Sequence, residues 1–405
     1  MKKEEKRCMM VPLLCRKNRC EMKKMLMMAT TAAMIEQFNK NNILILIDMG
    51  YEVHVAGNFE KGNPISEKRL DEFKVWLKEK KCKWFNIPST RKPTDYNNIK
   101  AYKKVIELIN EYQYEFIHCH TPIGSIIARC AAHNTNTPII YTAHGFHFFK
   151  GAPLKNWILY YPVERFFSRW TDLLILINNE DYKRARKKFY TKWVEIIPGV
   201  GVDTKHFREC NVDKEQKKEE LGIENNKFIL LSVGELQKRK NQEVVIDALG
   251  SIQDKDIVYL IVGKGELKNY YKEKIKQYGL ENNIFLLGYR SDIDELCSIA
   301  DCFVHPSIRE GLGIAPLEAM ASGCPLISGN INGMKDYTEN GKTGYCIEPK
   351  SINEMIDAIN SMKLNSSFRK ECSCYNIDIA KKYDLKCSNE KMKDIYEKFE
   401  RKYLL

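Results

Sequence analysis

Short apolar runs alternate with amphipathic stretches along almost the whole of this 405-residue chain. The runs in the first half that fit strands are residues 24–29, 51–56, 83–87, 115–120, 138–143, 172–177 and 193–197. Helical stretches separate most of them, which is the pattern of parallel sheets covered by helices. One such stretch, 34–49, has apolar residues near helical spacing and ends at Gly50, so we expect a single helix there.

A polar segment at residues 209–220 interrupts this alternation, and a second series of the same kind follows it. Its predicted strands are 227–233, 257–262, 284–287, 301–305 and 325–328, and its predicted helices are 240–250, 266–278, 292–299, 314–322 and 352–362. Since domains average roughly 150 residues, the chain has room for two or three domains, each with its own core. We therefore predict an α/β protein of two Rossmann-like, doubly wound domains that face each other across a cleft. The predicted divisions are a basic tail (1–21), an N-terminal domain (22–207), a C-terminal domain (208–384) and a final helix (385–405).

Charge and hydropathy exclude other classes of protein. The purest apolar run, 43–47, stops at Asp48 and falls far short of the roughly 18 residues that a bilayer span needs. The net charge is +12, and residues 1–24 carry nine basic against three acidic side chains. That segment lacks the apolar region of a signal peptide, and Met22 opens a second start-like stretch. We expect residues 1–21 to be a tail or an upstream, misassigned start.

The 14 cysteines include no C-x-x-C pair and no regular spacing, so reduced thiols of a cytosolic protein fit better than disulfides. Residues 118–120 read His-Cys-His, which raises the question of a metal site. Adjacent strand residues point to opposite faces, so a strand end that carries two histidines is the favoured interpretation.

The segment 307–323, SIREGLGIAPLEAMASG, is the most informative in the chain. It predicts a loop followed by a short helix, because Pro316 suits a first helical turn and Gly323 suits a helix stop. Loop glycines admit a ligand close to the backbone, and the free amides of a first turn favour an anion such as a diphosphate. The predicted contacts of that diphosphate are Gly311, Leu312, Gly313 and Ile314.

Two carboxylates belong to the same segment. Glu310 lies in the loop, and Glu318 lies eight residues later in the helix. An ionised carboxylate only accepts hydrogen bonds, so Glu318 can take both hydroxyls of a ribose. Spacing alone leaves open a second interpretation, in which the two charges merely flank a solvated helix.

A second basic loop, 232–241, follows a predicted strand in the same half of the chain. Gly234 permits a tight turn there, and Lys240 supplies a point charge that reaches a diphosphate. Two further strand ends carry weaker signals: residues 263–265 read Gly-Lys-Gly, and Tyr289 with Arg290 follows the next strand.

The pair Glu310 and Glu318 resembles the E-x7-E motif of retaining glycosyltransferases of family 4, which have the GT-B fold. The resemblance covers most of the chain from Met22 onward. It implies that Glu318 holds the nucleoside ribose, that Glu310 contacts hydroxyls of the donor sugar, and that Tyr289 and Arg290 lie at the nucleobase. It also implies an acceptor-binding N-terminal domain and a C-terminal domain that binds a nucleotide-sugar. In addition, the resemblance implies that the final helix (385–405) crosses back to the N-terminal domain.

The basic loop departs from the family pattern at one position. The family usually has an arginine directly after the glycine and a lysine five residues later. Lys240 matches the lysine, whereas Glu235 replaces the arginine, so Arg239 or Lys238 is expected to supply the second cation. A solvated basic turn is the alternative for both.

The first half of the chain resembles the family at the strand 138–143, which runs into His144. The family places a histidine there beside the donor sugar, and we expect an imidazole that is partly charged near neutrality. A purely structural histidine is the alternative. Ala32 and Ala33 occupy the place of the family's glycine-rich loop, so we assign them only to a wall of the acceptor site.

Residues 146–170 contain nine aromatic side chains and four basic against one acidic residue. This composition suits a lipid-headgroup interface, although a core helix with surface charges fits equally well. The string TAHGFHFFKG resembles the subgroup that builds capsules, exopolysaccharides and lipid-linked oligosaccharides on undecaprenyl diphosphate. No RNA-binding signature accompanies the aromatic residues, so nucleic acid is not an expected partner.

The resemblance implies a bacterial, cytoplasmic enzyme, peripheral at the inner face of the membrane, that moves a hexosyl or N-acetylhexosaminyl group. The expected donor is a UDP-sugar and the expected acceptor a lipid-linked saccharide. The expected catalytic residues are His144, Lys240 and Glu310, with no metal cofactor, because helix amides and cations stabilise the leaving diphosphate. Two alternatives remain open: a UDP-sugar 2-epimerase of the same fold, and a membrane-associated protein that binds nucleotide-sugars without turnover.

Overall fold

A computed structural model describes residues 22–405, so the predictions for residues 1–21 lie outside the described residues. Strands and helices alternate from Lys23 onward and form two parallel sheets. The predicted α/β class with two Rossmann-like domains is confirmed.

The N-terminal sheet has seven strands in the order β3-β2-β1-β4-β5-β6-β7. They are β1 (Lys23–Thr31), β2 (Tyr51–Asn58), β3 (Lys83–Asn86), β4 (Phe116–His120), β5 (Ile139–Ala143), β6 (Leu173–Leu176) and β7 (Trp193–Ile196). Every residue of β1 from Met25 to Thr31 is buried, because helices cover both faces of the sheet. The alternation of short apolar runs predicted each of these strands to within two residues at either end.

The N-terminal helices include one break that the sequence pattern did not predict. They are α1 (Ala32–Phe38), α2 (Lys40–Asp48), α3 (Glu67–Glu79), α4 (Asn97–Tyr112), α5 (Pro122–Thr135), α6 (Leu154–Leu159), α7 (Tyr161–Phe167) and α8 (Asn179–Lys188). The prediction of a single helix over 34–49 is wrong, since Asn39 leaves the helical conformation at φ −128° and ψ 4°. The buried side-chain amide of Asn39 donates to the Met34 carbonyl at 3.4 Å. This local hydrogen bond competes with the backbone hydrogen bonds that would continue the helix.

The C-terminal sheet has six strands in the order β10-β9-β8-β11-β12-β13. They are β8 (Phe228–Val233), β9 (Ile257–Val262), β10 (Ile284–Gly288), β11 (Cys302–His305), β12 (Leu326–Gly329) and β13 (Gly344–Ile347). The helices from the linker onward are α9 (Thr204–Arg208), α10 (Lys214–Glu220), α11 (Glu243–Ile252), α12 (Lys268–Gln277), α13 (Ile293–Ile299), α14 (Ile314–Ala321), α15 (Ile352–Leu364), α16 (Ser366–Ala380) and α17 (Leu385–Tyr403). The sequence pattern predicted neither β13 nor α16.

The chain passes between the domains twice, at neighbouring points. The Val202 amide donates to the Tyr383 carbonyl at 2.9 Å, and the Leu385 amide donates to the Val202 carbonyl at 2.9 Å. Helix α17 then packs on the N-terminal domain, where the Phe399 ring lies 5.5 Å from that of Phe116.

The carboxyl ends of β5, β8 and β11 carry the segments that the sequence analysis singled out. His144 follows β5, Gly234 follows β8, and β11 ends at His305. In open parallel sheets this edge is where ligands bind. Within residues 22–405, no helix combines the length and the apolar character that crossing a bilayer requires.

Candidate functional site

The Glu310 carboxylate is the centre of a cluster of charges after β11. Its Oε2 atom lies 2.8 Å from Lys240 Nζ, 3.2 Å from Arg239 Nη1 and 3.4 Å from His305 Nε2. Burial favours the neutral acid, but Lys240, His305 and Arg239 outweigh burial and hold the pKa of Glu310 well below its usual range. The side chain is 13% exposed, so the site contains a mostly buried, ionised carboxylate between two cations.

Of the two candidate cations for the second position, Arg239 is the one at the cluster. Lys238 is exposed, and no hydrogen bond or ion pair joins it to Glu310 in the described chain. Arg239 also lies 3.7 Å from Glu235, the residue that replaces the family's arginine. Gly234 is where the loop approaches Lys240, since a Cβ there would lie 3.2 Å from the lysine side chain.

Gly311 is a point of contact between the two domains. A Cβ on this glycine would lie 2.3 Å from the His144 carbonyl oxygen, and Asn178 Nδ2 donates to the Gly311 carbonyl at 3.1 Å. The sequence predicts that the absent side chain lets a ligand approach Gly311. The N-terminal domain occupies the position of that side chain, and the predicted contact of Gly311 with a diphosphate stays a prediction.

The amino end of α14 has no side-chain cap among the described residues. Gly313 adopts φ +88° at the N-cap. The Leu312 carbonyl accepts from Tyr337 Oη at 2.8 Å, which fixes the turn that leads into Ile314. The amino end of this helix therefore keeps backbone donors and the positive end of the helix dipole available for an anion.

Glu318 lies in the second turn of α14 and is mostly buried. Its carboxylate has no hydrogen-bond or ion-pair partner among residues 22–405. Burial raises the pKa of Glu318 to about 7, and His206 in α9 opposes that rise only weakly. The acceptor positions of this carboxyl group are free, as a ribose-binding residue requires.

His144 lies at the end of β5, with Nε2 3.2 Å from His120 Nδ1. Burial lowers the pKa of His144 to about 4, so its imidazole is neutral at pH 7. The expectation of partial charge near neutrality is therefore wrong. His118 and His120 lie on the strand end as predicted, and His118 Nδ1 is 2.7 Å from Tyr396 Oη in α17. Within residues 22–405, no group of three or more potential ligands is arranged to hold a metal ion.

A cavity of about 320 Å³ opens between the domains beside this cluster. It brings together His144, Arg239, Glu310 and Gly311 from the predicted set. Three further lining residues, Tyr160, Glu164 and Arg309, were not predicted to have a role at the site. Arg309 directly precedes Glu310 in the sequence, and that adjacency is the signal that identifies it.

The residues after β10 are not part of this arrangement. Tyr289 is 66% exposed, and the Arg290 guanidinium pairs with Asp292 and with Glu220 in α10, the latter at 3.0 Å. The glycines of the weak signal at 263–265 serve packing: a Cβ on Gly263 would lie 2.0 Å from the Gly234 carbonyl oxygen. The predicted base contact of Tyr289 and Arg290 stays a prediction.

Comparison with known proteins identifies the family. Residues 43–206 match the family described as Glycosyltransferase Family 4, and residues 213–378 match Glycosyl transferases group 1. The EpsD protein of Bacillus subtilis, assigned as a glycosyltransferase, is 36% identical over 333 residues, which span 80% of this chain and 84% of EpsD. The chain belongs to glycosyltransferase family 4.

One further relative and one solved structure are similar to this family 4 glycosyltransferase. An Escherichia coli enzyme named UDP-Gal:alpha-D-GlcNAc-diphosphoundecaprenol alpha-1,3-galactosyltransferase is 32% identical over 324 residues, 75% of this chain and 82% of that one. The crystal structure of Anabaena HepE with UDP and glucose superposes with a TM-score of 0.74 at 20% identity and covers 93% of this chain and all of HepE. The family 4 glycosyltransferase thus has the GT-B fold.

Proposed function

We propose that this enzyme transfers a hexosyl or N-acetylhexosaminyl group from a UDP-sugar to a lipid-diphosphate-linked saccharide, with retention of anomeric configuration, during capsule or exopolysaccharide synthesis. The observation that carries the proposal is the ionised Glu310 between Lys240 and Arg239, beside the uncapped start of α14. The Escherichia coli relative, whose name specifies a UDP-sugar and a diphosphoundecaprenol acceptor, supports the choice of substrates.

The donor diphosphate fits the amino end of α14 and Lys240, which together neutralise its charge. In the proposed step the bond between the anomeric carbon and the diphosphate oxygen breaks. The acceptor hydroxyl attacks the face that the diphosphate leaves, and its proton passes to a phosphate oxygen. Glu310 orients the donor sugar, Glu318 binds the ribose, and the neutral His144 donates a hydrogen bond to a sugar hydroxyl.

A membrane-bound acceptor accounts for the surface of α6 and α7. None of the residues of α6 is buried, and Leu154, Ile158 and Leu159 are between 61% and 74% exposed. Lys155 and Arg165 lie on the same pair of helices. Exposed apolar residues between cations suit the headgroup region of an anionic bilayer, so we assign this surface to the membrane.

The proposed function is tested by incubating the protein with labelled UDP-sugars, with and without GlcNAc linked through a diphosphate to an alkyl chain. We expect labelled product only when the acceptor is present, and faster transfer when the acceptor is embedded in anionic vesicles than in neutral ones. Conversion of the UDP-sugar to a different sugar without acceptor would support the epimerase instead. Binding of the donor with no turnover would support a non-catalytic role.

Transfer is expected to continue at an unchanged rate when EDTA is added. The physical reason is that Lys240 and the backbone amides at the start of α14 supply the positive charge that a metal ion supplies elsewhere. The measurement is the initial rate in EDTA compared with the rate in added Mg²⁺ or Mn²⁺. A rate that EDTA abolishes and Mn²⁺ restores contradicts the metal-independent mechanism.

A further inference from the structure

The charged side chains that line the interdomain cavity do not all have a partner. Its lining includes two carboxylates, Glu164 and Glu310, and two guanidinium groups, Arg239 and Arg309. Each carboxylate already has its own cation. Glu164 Oε2 accepts from buried Arg129 at 3.0 Å, while its Oε1 accepts from Tyr141 at 3.2 Å.

Glu310 is similarly occupied by Lys240, Arg239 and His305. Arg309 is left over: within residues 22–405 its guanidinium has no hydrogen bond and no ion pair. It is half-buried, and burial together with the nearby Arg239 lowers its pKa. A cation without a partner in this position is costly to the protein unless an anion binds there.

The neighbours of Arg309 across the cavity belong to the N-terminal domain. His147 and Tyr160 line the same space, with their rings stacked 4.6 Å apart. Tyr160 directly precedes α7 and follows the exposed apolar residues Ile158 and Leu159. Lys240 and the start of α14 already provide the positive charge for a donor diphosphate, so the unpaired charge of Arg309 is available for a different anion.

We propose that Arg309 binds a phosphate group of the acceptor's diphosphate, with the lipid chain directed past Tyr160 toward the exposed surface of α6 and α7. This inference rests on the proposed function. An arginine suits this role because its planar guanidinium binds two phosphate oxygens at once. Such a contact favours a diphosphate-linked saccharide over the same saccharide on a neutral carrier.

The test compares two acceptors that differ only in charge: GlcNAc linked to an alkyl chain through a diphosphate, and GlcNAc linked directly to the same chain. Replacing Arg309 by glutamine is expected to raise the KM for the diphosphate acceptor about tenfold to a hundredfold, because a charged hydrogen-bonded contact is lost. The kcat/KM for the neutral acceptor and the Kd for UDP are expected to change less than about twofold. Arg309→Lys should recover part of the loss, since it keeps the charge but not the bidentate geometry.

Arg186→Gln, at an exposed position of α8, is the matched control and should behave as the wild type. Equal losses with both acceptors, or a weakened Kd for UDP in Arg309→Gln, would overturn the inference. Calorimetric titration of the diphosphate acceptor into the UDP-loaded protein separates the inference from the proposed function. Arg309-dependent binding without transfer would support the inference and contradict the proposed function, whereas transfer that ignores Arg309 would do the reverse.

Discussion

Glu310→Gln is expected to lower the turnover number at least about 100-fold while the affinity for UDP stays the same or increases. The substitution removes the buried negative charge that Lys240 and Arg239 surround, and with it the acceptor that orients the donor sugar. Lys240 is then free to interact with the diphosphate alone. Steady-state kinetics together with calorimetric titration of UDP would measure the two effects separately.

Glu235→Gln is the matched control for this experiment, because it also removes a carboxylate near Arg239. The Glu235 side chain is 49% exposed, and its carboxylate lies 3.7 Å from the Arg239 guanidinium. We expect near wild-type turnover from it, since exposed ion pairs contribute little. If Glu310→Gln weakens UDP binding in proportion to its loss of turnover, the residue binds the nucleotide and does not orient the sugar.

Glu318→Ala is expected to weaken UDP binding by about 2–4 kcal/mol, since two charge-assisted hydrogen bonds to the ribose are lost. The free protein should not lose stability at pH 8, because the substitution removes a buried carboxylate that has no partner in the described structure. Calorimetry with UDP and with 2′,3′-dideoxy-UDP would check the assignment. An unchanged affinity for UDP would refute it.

The raised pKa of Glu318 gives this prediction a pH dependence. In the unfolded chain the group titrates near 4.5, and in the folded protein near 7, so the neutral acid is favoured by folding. The free energy of unfolding is therefore higher, by on the order of 3 kcal/mol, below pH 4.5 than above pH 7. This difference is lost as the pH rises from 4.5 through 7, because the carboxyl group then ionises in the unfolded chain first. Ribose hydroxyls bind best to the ionised form, so UDP affinity should increase between pH 6 and pH 8.

Glu318→Gln is the control, because it cannot ionise but keeps the shape of the side chain. The phosphates of UDP titrate in the same range in both proteins, so the difference between the two pH profiles isolates Glu318. Parallel profiles would show that proton release on binding does not come from this residue.

The strands were predictable from the sequence because both sheets are buried on both faces, which produces short, continuous apolar runs. Helix α16 was not predictable in this way. Its buried side includes Asn376, whose amide donates to the carbonyls of Cys324 at 2.8 Å and Thr343 at 3.1 Å. A polar residue that is satisfied by partners distant in sequence interrupts the apolar periodicity from which a helix is predicted.

In the site, too, some features follow from local sequence and others depend on partners that are distant in sequence. The loop glycines, the open helix start and the two glutamates follow from local sequence, because turns and helix ends have local residue preferences. The contact of Gly311 with His144 and the isolation of Arg309 depend on how two domains meet. Burial set by that meeting also determines the low pKa of His144, which its residue type alone does not indicate.

The two chain crossings at Val202 and Tyr383 have a mechanical consequence. They are hydrogen-bonded to each other and lie side by side, so both covalent connections between the domains run through one place. The two domains are thus joined at these crossings and meet again at the cavity, where Gly311 contacts His144.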